Sequence, residues 1–139
     1  MAAVQIKTDI SLDEYEFVDT DGKVLFSITF NASDVNLARR YDEMARHMDE
    51  LNTDQTEEDT SEALAKAEKE IGKRLDKLLG HPVSEQIFSV MSPFTPLKNG
   101  KLYIEEVVEK IGSVIESETG KRLKKVQNRM EKYTAKYRK

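Results

Sequence analysis

Residues 15–30 read YEFVDTDGKVLFSITF, two runs rich in aromatic and β-branched residues on either side of Asp21-Gly22. Asp-Gly accepts the positive φ angles of a tight turn, so the stretch predicts a β-hairpin with a two-residue connection. Counting outward from that turn pairs Asp19 with Val24, Phe17 with Phe26 and Tyr15 with Ile28. Tyr15, Phe17, Val24, Phe26, Ile28 and Phe30 then share one face, while Glu14, Glu16, Ser27 and Thr29 share the other. A two-stranded ribbon is marginal by itself, so its aromatic face must lie on helices or beside a third strand. Val4 and Ile6 are weak candidates for such a strand, and residues 1–12 otherwise read as an extension.

Downstream, the apolar period changes from two to three and four. Asn31 and Ser33 offer helix-cap chemistry, and Val35, Ala38, Tyr41, Ala45, Met48 and Leu51 predict an amphipathic helix over about 34–52. NTDQTEEDTSE, residues 52–62, has no apolar side chain and predicts an exposed loop ending in a cap at Thr60 or Ser61. Leu64, Ala67, Ile71, Leu75, Leu78 and Leu79 predict a second helix that stops at Gly80 before Pro82. VSEQIFSVM, residues 83–91, predicts a short third helix with Ile87, Val90 and Met91 inward, and Pro93 and Pro96 predict an irregular loop after it. Leu102, Ile104, Val107, Val108, Ile111, Val114 and Ile115 make a stripe too wide for a helix covered on one side, so the helix over about 101–118 is expected at the centre of the fold. Gly120 is the expected break, and Leu123, Val126, Met130, Tyr133 and Tyr137 continue a stripe in a lysine-rich helix beyond it.

The expected class is therefore α+β and mostly α: an N-terminal β-hairpin packed on a small helical bundle, with a basic C-terminal helical tail. The expected divisions are residues 1–12, a single domain over 13–118, and a tail over 119–139. A length of 139 residues accommodates one domain of ordinary size. No apolar run reaches the roughly 18 residues of a membrane span, and MAAVQIKTD lacks the apolar stretch of a secretory signal, which points to a soluble intracellular protein.

Composition removes several chemistries. With no cysteine there is no disulfide, thiolate nucleophile, cysteine-ligated zinc or iron–sulfur cluster, and two histidines leave little for metals. The glycines at 22, 72, 80, 100, 112 and 120 stand too far apart for a phosphate-cradling loop. Asp19 and Asp21 precede Gly22 as in a calcium loop, but that register puts Phe17 where a carboxylate is needed, and the hairpin turn is the better reading. Glu43, His47 and Glu50 share a helix face without the paired Glu-x-x-His motifs of a di-metal bundle, and His81 reads as a turn residue between Gly80 and Pro82. No catalytic, cofactor-binding or metal-ligating residue is assigned, and the expectation is a protein that is not an enzyme and needs no cofactor.

Two candidate surfaces remain. Met91, Phe94 and Leu97 place three large apolar side chains around the prolines, either as a lid on the core or as a docking patch. The second surface is the tail. The chain's net charge of −4 divides into 13 Lys/Arg against 25 Asp/Glu up to Glu118, a balance of −12, and nine Lys/Arg against Glu131 from Thr119 on, a balance of +8. Lys121, Arg122, Lys124, Lys125 and Arg129 flanking Leu123, Val126, Met130 and Tyr133 fit a frayed extension, a protein-binding amphipathic helix or a nucleic-acid arm. The acidic body would repel phosphate, which disfavours the last of these.

The order of parts adds a resemblance. FVDTDGKVLFSITF (17–30), SDVNLARRYDEMARHMDEL (33–51), the acidic loop, IGKRLDKLLG (71–80) with VSEQIFSVMSPF (83–94), and YIEEVVEKIGSVIE (103–116) together resemble the tail assembly chaperones of long-tailed, siphovirus-type bacteriophages of Gram-positive bacteria. The likeness covers about residues 15–118, and the basic end GKRLKKVQNRMEKYTAKYRK is similar to the ends of such proteins. The resemblance implies a non-enzymatic, self-associating protein that binds the tape-measure protein and recruits tail-tube subunits. It also implies a place in the cytoplasm of the infected or lysogenic host and absence from the mature virion. The alternative reading is a nucleic-acid-associated or regulatory adaptor protein using the basic tail.

Overall fold

A computed structural model of the chain describes residues 2–53 and 61–137, without the side chains of 49–53 and 133–137. Strands β1 (Asp13–Val18) and β2 (Val24–Phe30) form an antiparallel hairpin, followed by helices α1 (Val35–Thr53), α2 (Ser61–Leu79), α3 (Ser84–Phe88) and α4 (Tyr103–Tyr137). The fold is α+β and mostly helical, with the hairpin packed on the helices. The expected acidic loop and its cap at Thr60 fall largely outside the described residues.

The hairpin register is the expected one over most of its length, reached by a different route. Phe17 pairs with Phe26 and Tyr15 with Ile28, but Val18, and not Asp19, pairs with Val24. The connection is a three-residue loop: Asp19 N donates to Lys23 O, Gly22 N donates to Asp19 O, and Gly22 takes φ 85°. Asp19 Oδ1 accepts from both Asp21 N and Lys23 N, which holds the turn. The longer loop shifts the count by one residue, and a bulge at Leu25 shifts it back. Val24 is the casualty, since it stands 48% exposed and off the aromatic face. Phe17 stacks on Phe26 with centroids 4.5 Å apart, and Tyr15 lies 4.6 Å from Phe30. Among the described residues the sheet has no third strand, so Val4 and Ile6 do not extend it.

The N-terminal half of α4 is the expected centre of the core. Ile104, Val107, Val108, Ile111 and Ile115 are buried among Phe26, Ile28 and Phe30 of β2, Leu37, Met44 and Met48 of α1, and Ile71, Leu75, Leu78 and Leu79 of α2. The α1 stripe is rotated from expectation: Leu37 and Met44 are buried, Ala38, Tyr41 and Ala45 lie at the margin, and Val35 is fully outside. On α2, Leu64 is likewise half exposed. The side chain of Leu51 is not among those described.

The third helix is shorter than expected. It begins where Asp76 of α2 caps it, Oδ1 accepting from Val83 N and Ser84 N and Oδ2 from Ser84 Oγ, and it stops at Phe88. The following loop is not wholly irregular. Pro96 and Leu102 form a bridge, Leu97 N donates to Lys101 O, Gly100 N donates to Leu97 O, and Gly100 takes φ 84°. This repeats the Asp19–Lys23 turn, with Asn99 in the place of Asp21. The loop then feeds α4, whose free N–H groups at Tyr103 and Ile104 donate to Thr95 O and Pro93 O.

Gly120 does not break α4, which runs through it for 35 residues, about 52 Å at 1.5 Å per residue. One glycine costs a helix only about 1 kcal/mol, and no proline or second breaker follows it. A Cβ at Gly120 would meet nothing within 4 Å, whereas one at Gly112 would clash with the Tyr41 hydroxyl. Gly120→Ala is therefore expected to raise stability by about 0.5–1 kcal/mol and Gly112→Ala to lower it by about 1–3 kcal/mol through displacement of the Tyr41 ring. Thermal unfolding of the two variants checks both signs.

Tyr103 opens α4 with its hydroxyl donating to Ile87 O at 2.9 Å, and burial pushes its pKa up to about 12. The folded state holds this proton more tightly than the unfolded chain, so the contribution is complete below pH 10 and declines as pH rises from about 10 to 12. Tyr103→Phe is expected to flatten the stability profile in that window while lowering it at neutral pH by about 1 kcal/mol. Chemical unfolding across the alkaline range measures both effects.

Candidate functional site

The two sequence-derived surfaces have different fates in the fold. Met91, Phe94 and Leu97 are half-buried and packed against the core, with Pro93 wholly buried between them. They form the lid of the two readings considered. Ser92 Oγ ties this lid to α2 by donating to Glu68 Oε1 at 2.6 Å, and Phe94 N donates to Ser92 Oγ.

The basic helix is the more exposed surface. Every described side chain from Leu123 to Lys132 is exposed, and Leu123, Val126 and Met130 are 55%, 46% and 52% accessible. Spacings of three and four place these three on one stripe, with Lys124, Lys125 and Arg129 beside it. Tyr133 continues the stripe by sequence, but its side chain lies outside the described residues. Lys121 is mostly exposed and pairs with Glu118 at 3.5 Å within the helix.

Arg122 departs from its expected role. Its guanidinium donates to Asn31 Oδ1 and Ser33 Oγ at 2.8 Å and to Asp13 Oδ2 at 2.9 Å, and Glu118 lies 3.8 Å away. Thr119 Oγ1 adds a 3.4 Å bond to Ala32 O. These residues bolt α4 to the β2–α1 junction one to two turns beyond the point where its apolar packing ends at Ile115. Arg122 is therefore engaged within the chain. Sequence periodicity could not reveal this, because four of the five groups involved lie about 90 residues or more upstream. Around the same node, burial first and then the Asp13 and Glu118 carboxylates push the Tyr15 hydroxyl's pKa up, while Arg122 pulls it down.

Concave features also mark the surface. An open groove of about 830 Å³ runs between α2 and α3 over Gly72 and Phe88, with Lys66, Lys69 and Lys73 at its rim. A smaller cavity of about 430 Å³ lies between the leading segment and the body, lined by Ile10, Leu12, Phe30, Leu37 and Leu79 together with His81. His81 Nε2 lies 2.9 Å from Thr29 O, which ties the α2 end to β2. Among the described residues no three His, Asp or Glu side chains stand together as a metal site, and no helix is long and apolar enough to cross a membrane. Glu50 of the Glu43–His47–Glu50 face is outside the described side chains.

No protein-family model, curated protein or solved structure matches the chain. The geometry itself defines a small helical body from which one long basic helix projects. Arg122→Ala is expected to remove the bolt, costing about 1–3 kcal/mol for lost charge-assisted hydrogen bonds. It should also speed amide exchange over residues 116–126 selectively, and hydrogen-exchange mass spectrometry reads this directly.

Proposed function

We propose that the protein is a phage tail assembly chaperone, a non-enzymatic factor that holds the tape-measure protein and recruits tail-tube subunits during tail morphogenesis. The observation that carries the reading is the exposed stripe Leu123, Val126 and Met130 on a basic helix that stands beyond its own core. A helix of this kind lays its apolar side against another helix, and a tape-measure chain is a long succession of such partners. The resemblance of residues 15–118 to tail chaperones supports the same reading. Lys124, Lys125 and Arg129 speed the encounter with an acidic partner, and the apolar stripe supplies the contact that persists in salt.

Co-purification with tape-measure fragments tests the proposal. Changing Leu123, Val126 and Met130 to Ser is expected to abolish capture, because each loses buried apolar area worth roughly 25 cal/mol per Å². Changing Lys124, Lys125 and Arg129 to Gln should slow association and leave capture largely intact at moderate salt. The opposite pattern overturns the reading. DNA binding that is lost in the charge variant, and that falls with salt by a slope of about 0.9 per neutralised phosphate, would favour the nucleic-acid alternative.

A further inference from the structure

Residues 4–12, VQIKTDISL, lie in no strand or helix, yet they alternate as a half-buried strand does. Val4, Ile6, Ile10 and Leu12 occupy the even positions and are 88%, 83%, 58% and 54% exposed. Ser11, at φ 57°, is the one non-glycine residue with positive φ among the described residues, and it turns the segment out of line with β1. Asn31 Nδ2, donating to Ile10 O at 2.9 Å, fixes the segment's base.

The segment is complementary to itself. Read antiparallel about Thr8 over residues 6–10, short of the turn at Ser11, Ile6 meets Ile10 and Lys7 meets Asp9. Moving the centre to residue 7 sets Lys7 against Lys7, and moving it to residue 9 sets Asp9 against Asp9. A one-residue change in pairing sum sets apolar positions against polar ones. Parallel in-register pairing again stacks like charges. Only the Thr8-centred register satisfies both the apolar and the charged positions, with two threonines facing each other on the axis.

We propose that residues 6–10, short of the turn at Ser11, pair antiparallel with the same residues of a second copy of this chain, forming a two-fold dimer ribbon centred on Thr8. The contact is isologous, so each Lys7 faces the other copy's Asp9 and the interaction closes at two subunits. Ile10 and Leu12 already line the 430 Å³ cavity beside Phe30, Leu37 and Leu79. The same register brings Ile6 of the second copy next to Ile10, at the mouth of that cavity. The proposal does not depend on the chaperone reading.

The chain's lack of cysteine makes the test direct. In the full-length protein, Thr8→Cys is expected to give a disulfide-linked dimer under mild oxidation, because a residue on the axis faces its own copy. Ser27→Cys, on the outer face of the hairpin, should not. Lys7→Asp and Asp9→Lys are each expected to weaken self-association by about tenfold or more in sedimentation equilibrium, and the double exchange should restore it. Circular dichroism should match the parent for all of these, since Lys7, Thr8 and Asp9 are exposed and Ser27, half-buried, is replaced by a side chain of similar size. A parent protein that is monomeric at about 100 µM overturns the proposal. So do cross-linking at position 8 no faster than at position 27, single charge variants that associate like the parent, or a double variant without rescue.

Discussion

The burial of Ile104, Val107, Val108, Ile111 and Ile115 on a single helix is the constraint from which the other elements take their places. A stripe that wide cannot be covered by one neighbour, so α1, α2 and the hairpin each supply part of the cover, and β2 contributes Phe26, Ile28 and Phe30. The hairpin, marginal alone, gains its stability from that contact. The short α3 and its lid hold the start of the same helix, where Thr95 O and Pro93 O accept its first N–H groups and Ile87 O accepts the Tyr103 hydroxyl. The close approach of α1 comes from Gly112, over which the Tyr41 ring lies. Burial, followed by the negative charges of Glu109, Asp42 and Glu116, raises the Tyr41 pKa.

The sequence was most legible where one periodicity ran unbroken. The α2 stripe from Ile71 to Leu79 and the α4 stripe from Ile104 to Ile115 are buried as their spacing requires. It was less legible where two local effects offset each other, as at the hairpin, where the loop and the Leu25 bulge preserve the Phe17–Phe26 pair but turn Val24 outward. On α1 the choice between Val35 and Leu37 depends on how the helix is rotated against α4, which tertiary packing decides. The 97–101 turn was hidden by neighbouring prolines, although Asn99-Gly100-Lys101 carries the same signal as Asp21-Gly22-Lys23. Helix breaking at Gly120 was expected from one residue's propensity, which strong helix formers on both sides outweigh.

The candidate surfaces were legible as composition and illegible as geometry. Charge counting separated an acidic body from a basic end, and that contrast stands. Which basic side chains face outward depends on contacts across the whole chain, and Arg122 is the instance. Its partners Asp13, Asn31 and Ser33 come from β1 and the β2–α1 junction, so this arginine belongs to the body while Lys124, Lys125 and Arg129 belong to the projecting helix.

Asn31 connects the two exposed segments. Its Oδ1 accepts from Arg122 Nη1, Ser33 N and Ser33 Oγ, and its Nδ2 donates to Ile10 O, so one amide holds both the root of α4's extension and the root of the leading segment. The Ser33 hydroxyl donates to Asn31 and accepts from Arg122. Both segments therefore leave the body from one junction, between the end of β2 and the start of α1. A shift of that junction moves the two roots together, whereas the lid and the α2–α3 groove are held by separate bonds through Glu68 and Asp76. Val4, Ile6, Ile10 and Leu12 on one projection and Leu123, Val126 and Met130 on the other thus share a common footing, which the Asp13 and Glu118 carboxylates of the body join through Arg122.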